Sequence, residues 1–168
     1  MEVSYIISQI FVIIQYLLLI ATYQAKTKKQ ILIFNSISSI SAALSFIFLS
    51  AFSGCAISLL ALLRNYLFYK QDNKINIKKL LFILSILLIL TIVTYDGMLS
   101  LMPSIGFLFY TFSVWQNDTK IYRIFGIPIE LAWLTYHIYV FSIFGIILEG
   151  FLMMSVIIGI IKSNKSIK

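Results

Sequence analysis

The chain has 168 residues, 61% of them hydrophobic and 11% charged, with a mean hydropathy of +1.00. Soluble domains carry about 25% charged residues, and a domain of this size still exposes roughly a third of the surface its unfolded chain would show, so the composition excludes a water-soluble fold. The net charge of +7 would suggest nucleic acid in a soluble protein, but here the basic residues fall between apolar runs, and no nucleic-acid partner is expected.

A helical span needs roughly 17–25 apolar residues. Seven spans are predicted, at about 4–23, 31–49, 54–70, 79–95, 99–115, 123–140 and 143–162. Tight hairpins join them at 50–53, 96–98 and 141–142. No basic segment precedes the first span, so a cleavable signal peptide is not expected. The gaps alternate in charge. Lys26, Lys28 and Lys29 follow span 1, Lys70, Lys74, Lys78 and Lys79 follow span 3, Lys120 and Arg123 follow span 5, and Lys162, Lys165 and Lys168 follow span 7. The intervening gaps hold none. Twelve of the thirteen basic residues therefore lie on one side, which predicts a cytoplasmic C-terminus and an external N-terminus.

A shift of 92 residues aligns Gln24, Thr27 and Lys28 with Gln116, Thr119 and Lys120, and Ile37, Ser50 and Phe52 with Ile129, Ser142 and Phe144. Two three-span units in the same orientation need one extra crossing between them. Span 4 fits that role, being almost all Leu and Ile from Leu80 to Tyr95. Span 2 instead carries Asn35, Ser36, Ser38, Ser39 and Ser41, the small and polar residues that let membrane helices pack closely. The expected architecture is an all-α integral membrane protein with seven transmembrane helices. A first triple-helix bundle (1–70) is joined by a loop and linker helix (71–98) to a second, parallel bundle (99–168).

Ionisable residues inside a span cost about 2.5–3.5 kcal/mol on insertion scales and are functional candidates by default. Three qualify: Arg64, Glu130 and Glu149. Arg64 and Glu130 lie at similar depth and are expected to form an intramembrane charge pair or gate. Glu149 lies nearer the outer face, where His137 is the other titratable group. On span 6, Gly126, Glu130, Trp133 and His137 share one helical face, as do Gly54, Ser58, Ala61 and Asn65 on span 3, Tyr5, Gln9 and Tyr16 on span 1, and Pro103, Gly106 and Tyr110 on span 5. The single cysteine, Cys55, precludes an intrachain disulfide, and no HExxH, paired-Asp or Gly-rich phosphate loop occurs. Catalysis, a bound metal and a cofactor are not expected.

Several residues together resemble the bacterial inner-membrane YgjV-type family over essentially the whole chain. They are Arg64-Asn65 closing span 3, Pro103 with Ile105-Gly106 opening span 5, Trp115-Gln116 with Arg123, Trp133 with Tyr136, and Glu149. That family is similar in turn to the SWEET, PQ-loop and KDEL-receptor group, whose plan is 3+1+3 with the N-terminus outside. The PQ dipeptide is absent, its positions being held by Tyr23-Gln24 and Trp115-Gln116. In SWEET-like pockets a tryptophan and an asparagine face the sugar. The resemblance places Trp133 and Glu149 there, with Ser41 and Ser58 as their first-bundle counterparts, and makes Pro128 a hinge without a partner in the first bundle. Asn35 and His137 complete the candidate substrate-binding set. The expected function is a small-metabolite transporter of the inner membrane. A non-transporting receptor and a structural accessory protein are the alternatives. The expected partners are the lipid bilayer and a small polar metabolite, with a homo-oligomer left open.

Overall fold

A computed structural model describes residues 2–70, 76–116 and 119–165. Lys74 and Lys168 of the charge pattern and Asn117 and Asp118 between spans 5 and 6 lie outside these residues, as does the start of the expected 71–98 segment. Seven α-helices make up the described chain: α1 (Glu2–Gln24), α2 (Lys28–Phe48), α3 (Phe52–Tyr69), α4 (Ile77–Val93), α5 (Met102–Trp115), α6 (Thr119–Tyr139) and α7 (Ile143–Lys165). A 3₁₀ turn, Met98–Leu101, leads into α5. Each predicted span corresponds to one helix. Among the described residues, four segments are by length and composition long and apolar enough to cross a membrane: α1, α2, α3 and Met98–Trp115.

Local chemistry sets the boundaries. The Thr27 hydroxyl accepts from the Gln30 N–H and caps α2, and Asn76 caps α4 by accepting from the N–H groups of Lys78 and Lys79. Pro103 sits in the first turn of α5, where its missing N–H leaves no helical bond unmade. At the α2–α3 and α6–α7 hairpins the chain reverses through a non-glycine residue in the left-handed region, Ser50 at φ 55° and Phe141 at φ 53°.

The packing is inverted relative to a water-soluble protein. On α1 the inward stripe is Ser8, Gln9, Val12, Gln15, Tyr16, Thr22 and Tyr23, while Ile6, Ile10, Ile13 and Leu17 face outward. Apolar solvent outside and hydrogen-bonding groups inside is the distribution a bilayer selects. The helices adjoin in a closed ring, α1–α2–α3–α5–α6–α7, with α7 returning to α1. Helix α4 stands outside the ring against α3 and α5, and buries only Ile83 and Leu87.

The ring has two distinct ends. At one, Lys28 and Lys29 lie over the rings of Phe68 and Tyr69, and Lys79 donates to the Leu67 carbonyl. At the other, the Tyr5 hydroxyl donates to the Phe141 carbonyl, Phe144 N–H donates to Gln9, and the Tyr136 hydroxyl meets Ser53 and the Gly54 N–H. Both hairpins containing left-handed residues therefore sit at the same end.

Those two hairpins are built alike, and they fix the internal register. Ala51 N–H bonds to Phe46 O and Cys55 N–H to Ala51 O; Ser142 N–H bonds to His137 O and Ile146 N–H to Ser142 O. The offset is 91 residues, and α2 and α6 match at both ends under the same offset. The 92-residue shift of the sequence comparison is thus corrected by one. Each hairpin also sets a glycine against an aromatic ring eight residues earlier, Gly54 on Phe46 and Gly145 on His137. A Cβ at Gly145 would fall 2.6 Å from His137 Cγ, and the ring is fully buried with no room to yield. Gly145→Ala is expected to destabilise the protein by about 1–3 kcal/mol, read as a lower melting temperature in detergent. His137→Ala on the same background should restore part of the loss.

Candidate functional site: a cavity lined by ionisable side chains

The ring helices line a partly open cavity of about 60 Å³. All six ring helices contribute: Gln15, Tyr16 and Tyr23 from α1; Asn35, Ser38, Ser39 and Ala42 from α2; Ser58 and Arg64 from α3; Phe107 and Tyr110 from α5; Tyr122, Glu130 and Trp133 from α6; and Glu149 from α7. Helix α4 contributes nothing to it among the described residues.

Arg64 is 2% exposed and is solvated by the protein. Its Nε and Nη2 donate to Asn65 Oδ1 at 3.1 and 2.9 Å, and Nη2 also donates to Asn35 Oδ1 at 3.0 Å. Nη1 donates to Thr111 at 3.4 Å. Asn65 Nδ2 donates in turn to Asn35 Oδ1 at 2.9 Å, which locks the two amides in one orientation. The guanidinium lies over the rings of Tyr110 and Phe107, 4.1 and 4.7 Å from their centroids. Amide oxygens and π faces together replace the hydration shell of the cation.

The expected Arg64–Glu130 pair is not a direct contact. Among the described residues Arg64 meets only neutral acceptors and rings, and Glu130 accepts from the Tyr23 hydroxyl. A chain of tyrosines separates them. Tyr110, under Arg64, packs edge-on to Tyr122, and Tyr122 stacks on Tyr23 at 5.1 Å, which reaches Glu130. Tyr122 shares a 3.0 Å hydrogen bond with Thr22. The depth of a residue along its helix gives its height in the bilayer and not its bearing round the ring, which explains the difference.

Glu149 is 1% exposed, and neither carboxylate oxygen has a hydrogen-bond partner among the described residues. Its polar neighbours are Tyr16 and Glu130. Gln15 Oε1 and the Tyr110 hydroxyl, both of lining residues, are likewise buried without a partner. Trp133 is half-buried, stacked on Phe46 at 5.9 Å, and would lie 2.9 Å from a Cβ at Gly106, so that glycine makes room for the indole.

Of the sequence-predicted residues, Trp133, Glu149, Ser58, Asn35, Arg64 and Glu130 line the cavity together. Ser41 and His137 are buried but are not among its lining residues. Ser41 is displaced by the one-residue register error: the counterpart of Trp133 at an offset of 91 is Ala42, which does line the cavity. His137 corresponds to Phe46 and packs between Phe46, Tyr16 and Gly145. Pro128 lies inside α6, half-buried, where its missing N–H leaves the Ile124 carbonyl without its helical donor. The same offset relates Ser39 to Glu130 and Ser58 to Glu149, so both carboxylates face the hydroxyl-lined half of the cavity. Tyr23, Tyr122, Ser38 and Ser39 were missed as site residues. The stripe Asn35, Ser38, Ser39, Ala42 at i, i+3, i+4 and i+7 was the available signal for the serines.

Asn35 is the residue through which Arg64 and Asn65 are both held. Asn35→Leu should lower stability by about 1–3 kcal/mol, since it strands two buried donors. Asn35→Asp, which gives Arg64 a counter-ion at the same position, should lower it less. Melting curves of the detergent-solubilised variants check this order.

The family model Imp-YgjV, described as a bacterial inner membrane protein, matches residues 6–167. No curated protein and no solved structure matches the chain.

Proposed function

Because the chain belongs to the Imp-YgjV family of bacterial inner membrane proteins, we propose that it carries a small polar solute across that membrane, with the six-helix cavity as its binding site. The observation that supports this reading most is the cavity itself. A chain whose exterior is Ile, Leu and Phe gathers a guanidinium, two carboxyl groups and an indole around one cavity. Intramembrane charges that face a cavity mark solute pathways. Solute sites of transporters lie near mid-membrane, where repeated units meet.

In this reading α1–α3 and α5–α7 are two parallel bundles in the SWEET-like 3+1+3 plan, with α4 as linker. The N-terminus is external and the C-terminus cytoplasmic. At about 60 Å³ the cavity is far smaller than the roughly 300–1,000 Å³ of drug-sized ligand pockets, which fits a small solute. Pro128, beside Glu130 in α6, is the point at which that helix bends as the site opens. No catalytic step is assigned.

Counterflow in proteoliposomes, with labelled sugars, nucleosides, vitamins and amino acids, tests the carrier. We expect one compound class to exchange, with Trp133→Ala and Glu149→Gln each reducing the rate at least tenfold and the outward-facing Leu131→Ala leaving it unchanged. Exchange of nothing by folded protein would move the reading to a membrane receptor or an accessory protein. For topology, a fluorescent protein fused after Lys168 should fluoresce, and alkaline phosphatase inserted at 96–98 should be active. The opposite pattern would invert the orientation.

A further inference from the structure

The ring order determines how the charged groups oppose one another. In α1–α2–α3–α5–α6–α7, helix α3 stands directly across from α7. Arg64 is on α3 and takes its partners from the adjoining helices, Asn35 on α2 and Thr111 on α5. Glu149 is on α7 and has its polar neighbours on the helices adjoining it, Tyr16 on α1 and Glu130 on α6. One wall of the cavity therefore presents a guanidinium and the facing wall two carboxyl groups, which as close neighbours in low dielectric do not both ionise.

Neither pole is cancelled by contact. Arg64 donates to neutral oxygens only among the described residues, and four hydrogen bonds leave one Nη1 N–H of its five uncommitted. Both oxygens of Glu149 are buried, unpartnered among the described residues, and border the cavity. Within low dielectric the field between such poles is strong. A lone anion would leave the carboxyl side uncompensated, and a lone cation the guanidinium. A neutral polyol would compensate neither.

Size narrows the class further. A buried water needs about 10–15 Å³ of such volume, so 60 Å³ admits about four to six water-sized atoms. We propose that the site takes a small zwitterion, an amino-acid-like compound on a short carbon skeleton. Its carboxylate lies toward Arg64 and its ammonium toward Glu149 and Glu130. The inference rests on the cavity being a binding site, and it names the ligand class for that site.

Equilibrium binding to the purified protein in nanodiscs tests it, with labelled alanine and labelled β-alanine as probes. Propionate, butyrate, isopropylamine and propane-1,2-diol serve as competitors that lack one or both charges. At least one zwitterion should bind, and each competitor should be at least tenfold weaker than the same zwitterion unlabelled. In Glu149→Gln, which keeps the shape of the side chain, the advantage of the zwitterion over the matching acid should shrink at least fivefold. Competition by propane-1,2-diol or by a singly charged analogue at equal strength would overturn the proposal, as would the absence of binding of either probe to folded protein. Counterflow of the same probes separates the two readings. A zwitterion that binds but does not exchange leaves this site standing and removes carriage. Exchange of a neutral solute with no zwitterion bound does the reverse.

Discussion

A guanidinium buried in a bilayer has to be solvated by protein, and around Arg64 that requirement recruits three helices at once. Asn35 from α2, Asn65 from α3 itself and Thr111 from α5 supply oxygens, and Phe107 and Tyr110 supply π faces. Transfer of an unsolvated charge to low dielectric is prohibitive, so these helices cannot slide or rotate independently without exposing it. The α3–α5 junction joins the two halves of the chain on one side of the ring, and Arg64 stands at that junction.

Small residues do the opposite work elsewhere. Gly106 admits the Trp133 indole, Gly126 lies against Tyr23 and Val156, and Gly54 and Gly145 receive the rings of Phe46 and His137. Close approach at these points closes the ring around the cavity. The two hairpins share their hydrogen bonds, their left-handed residue and their glycine–ring contact, yet the residues they deliver to the cavity differ. Ser39, Ala42 and Ser58 come from the first half, and Glu130, Trp133 and Glu149 from the second. The scaffold repeats and the chemistry does not.

The spans were legible because a bilayer imposes length and apolarity on each crossing, and every predicted span contains its helix to within a few residues. Much of the site was legible too, since a charge in an apolar run stands out in any sequence: Arg64, Glu130 and Glu149 all border the cavity. What failed depends on rotation about helix axes. A one-residue slip turns a helix by about 100°. Chance Ile, Ser and Phe matches at an offset of 92 were enough to exchange Ala42 for Ser41. The tyrosine relay from Arg64 to Glu130 was hidden for a different reason. Tyrosine is common in this chain, and nothing in Tyr23 or Tyr122 alone distinguishes a residue facing the interior from one facing the lipid headgroups.

The closure of α7 onto α1 also has a consequence for synthesis. Chains emerge N-terminus first, and the last helix to enter the membrane is the one that seals the ring against the first. Arg64 finds Asn35 and Asn65 among residues already made or made next to it, and gains Thr111, Phe107 and Tyr110 once α5 follows. On α1 the Gln15 carbonyl takes the Ser38 hydroxyl as soon as α2 is in place, but the Gln9 side chain waits for the Phe144 N–H of α7. A chain interrupted before residue 143 would leave the Gln9 amide without that partner and the ring open between α1 and α6.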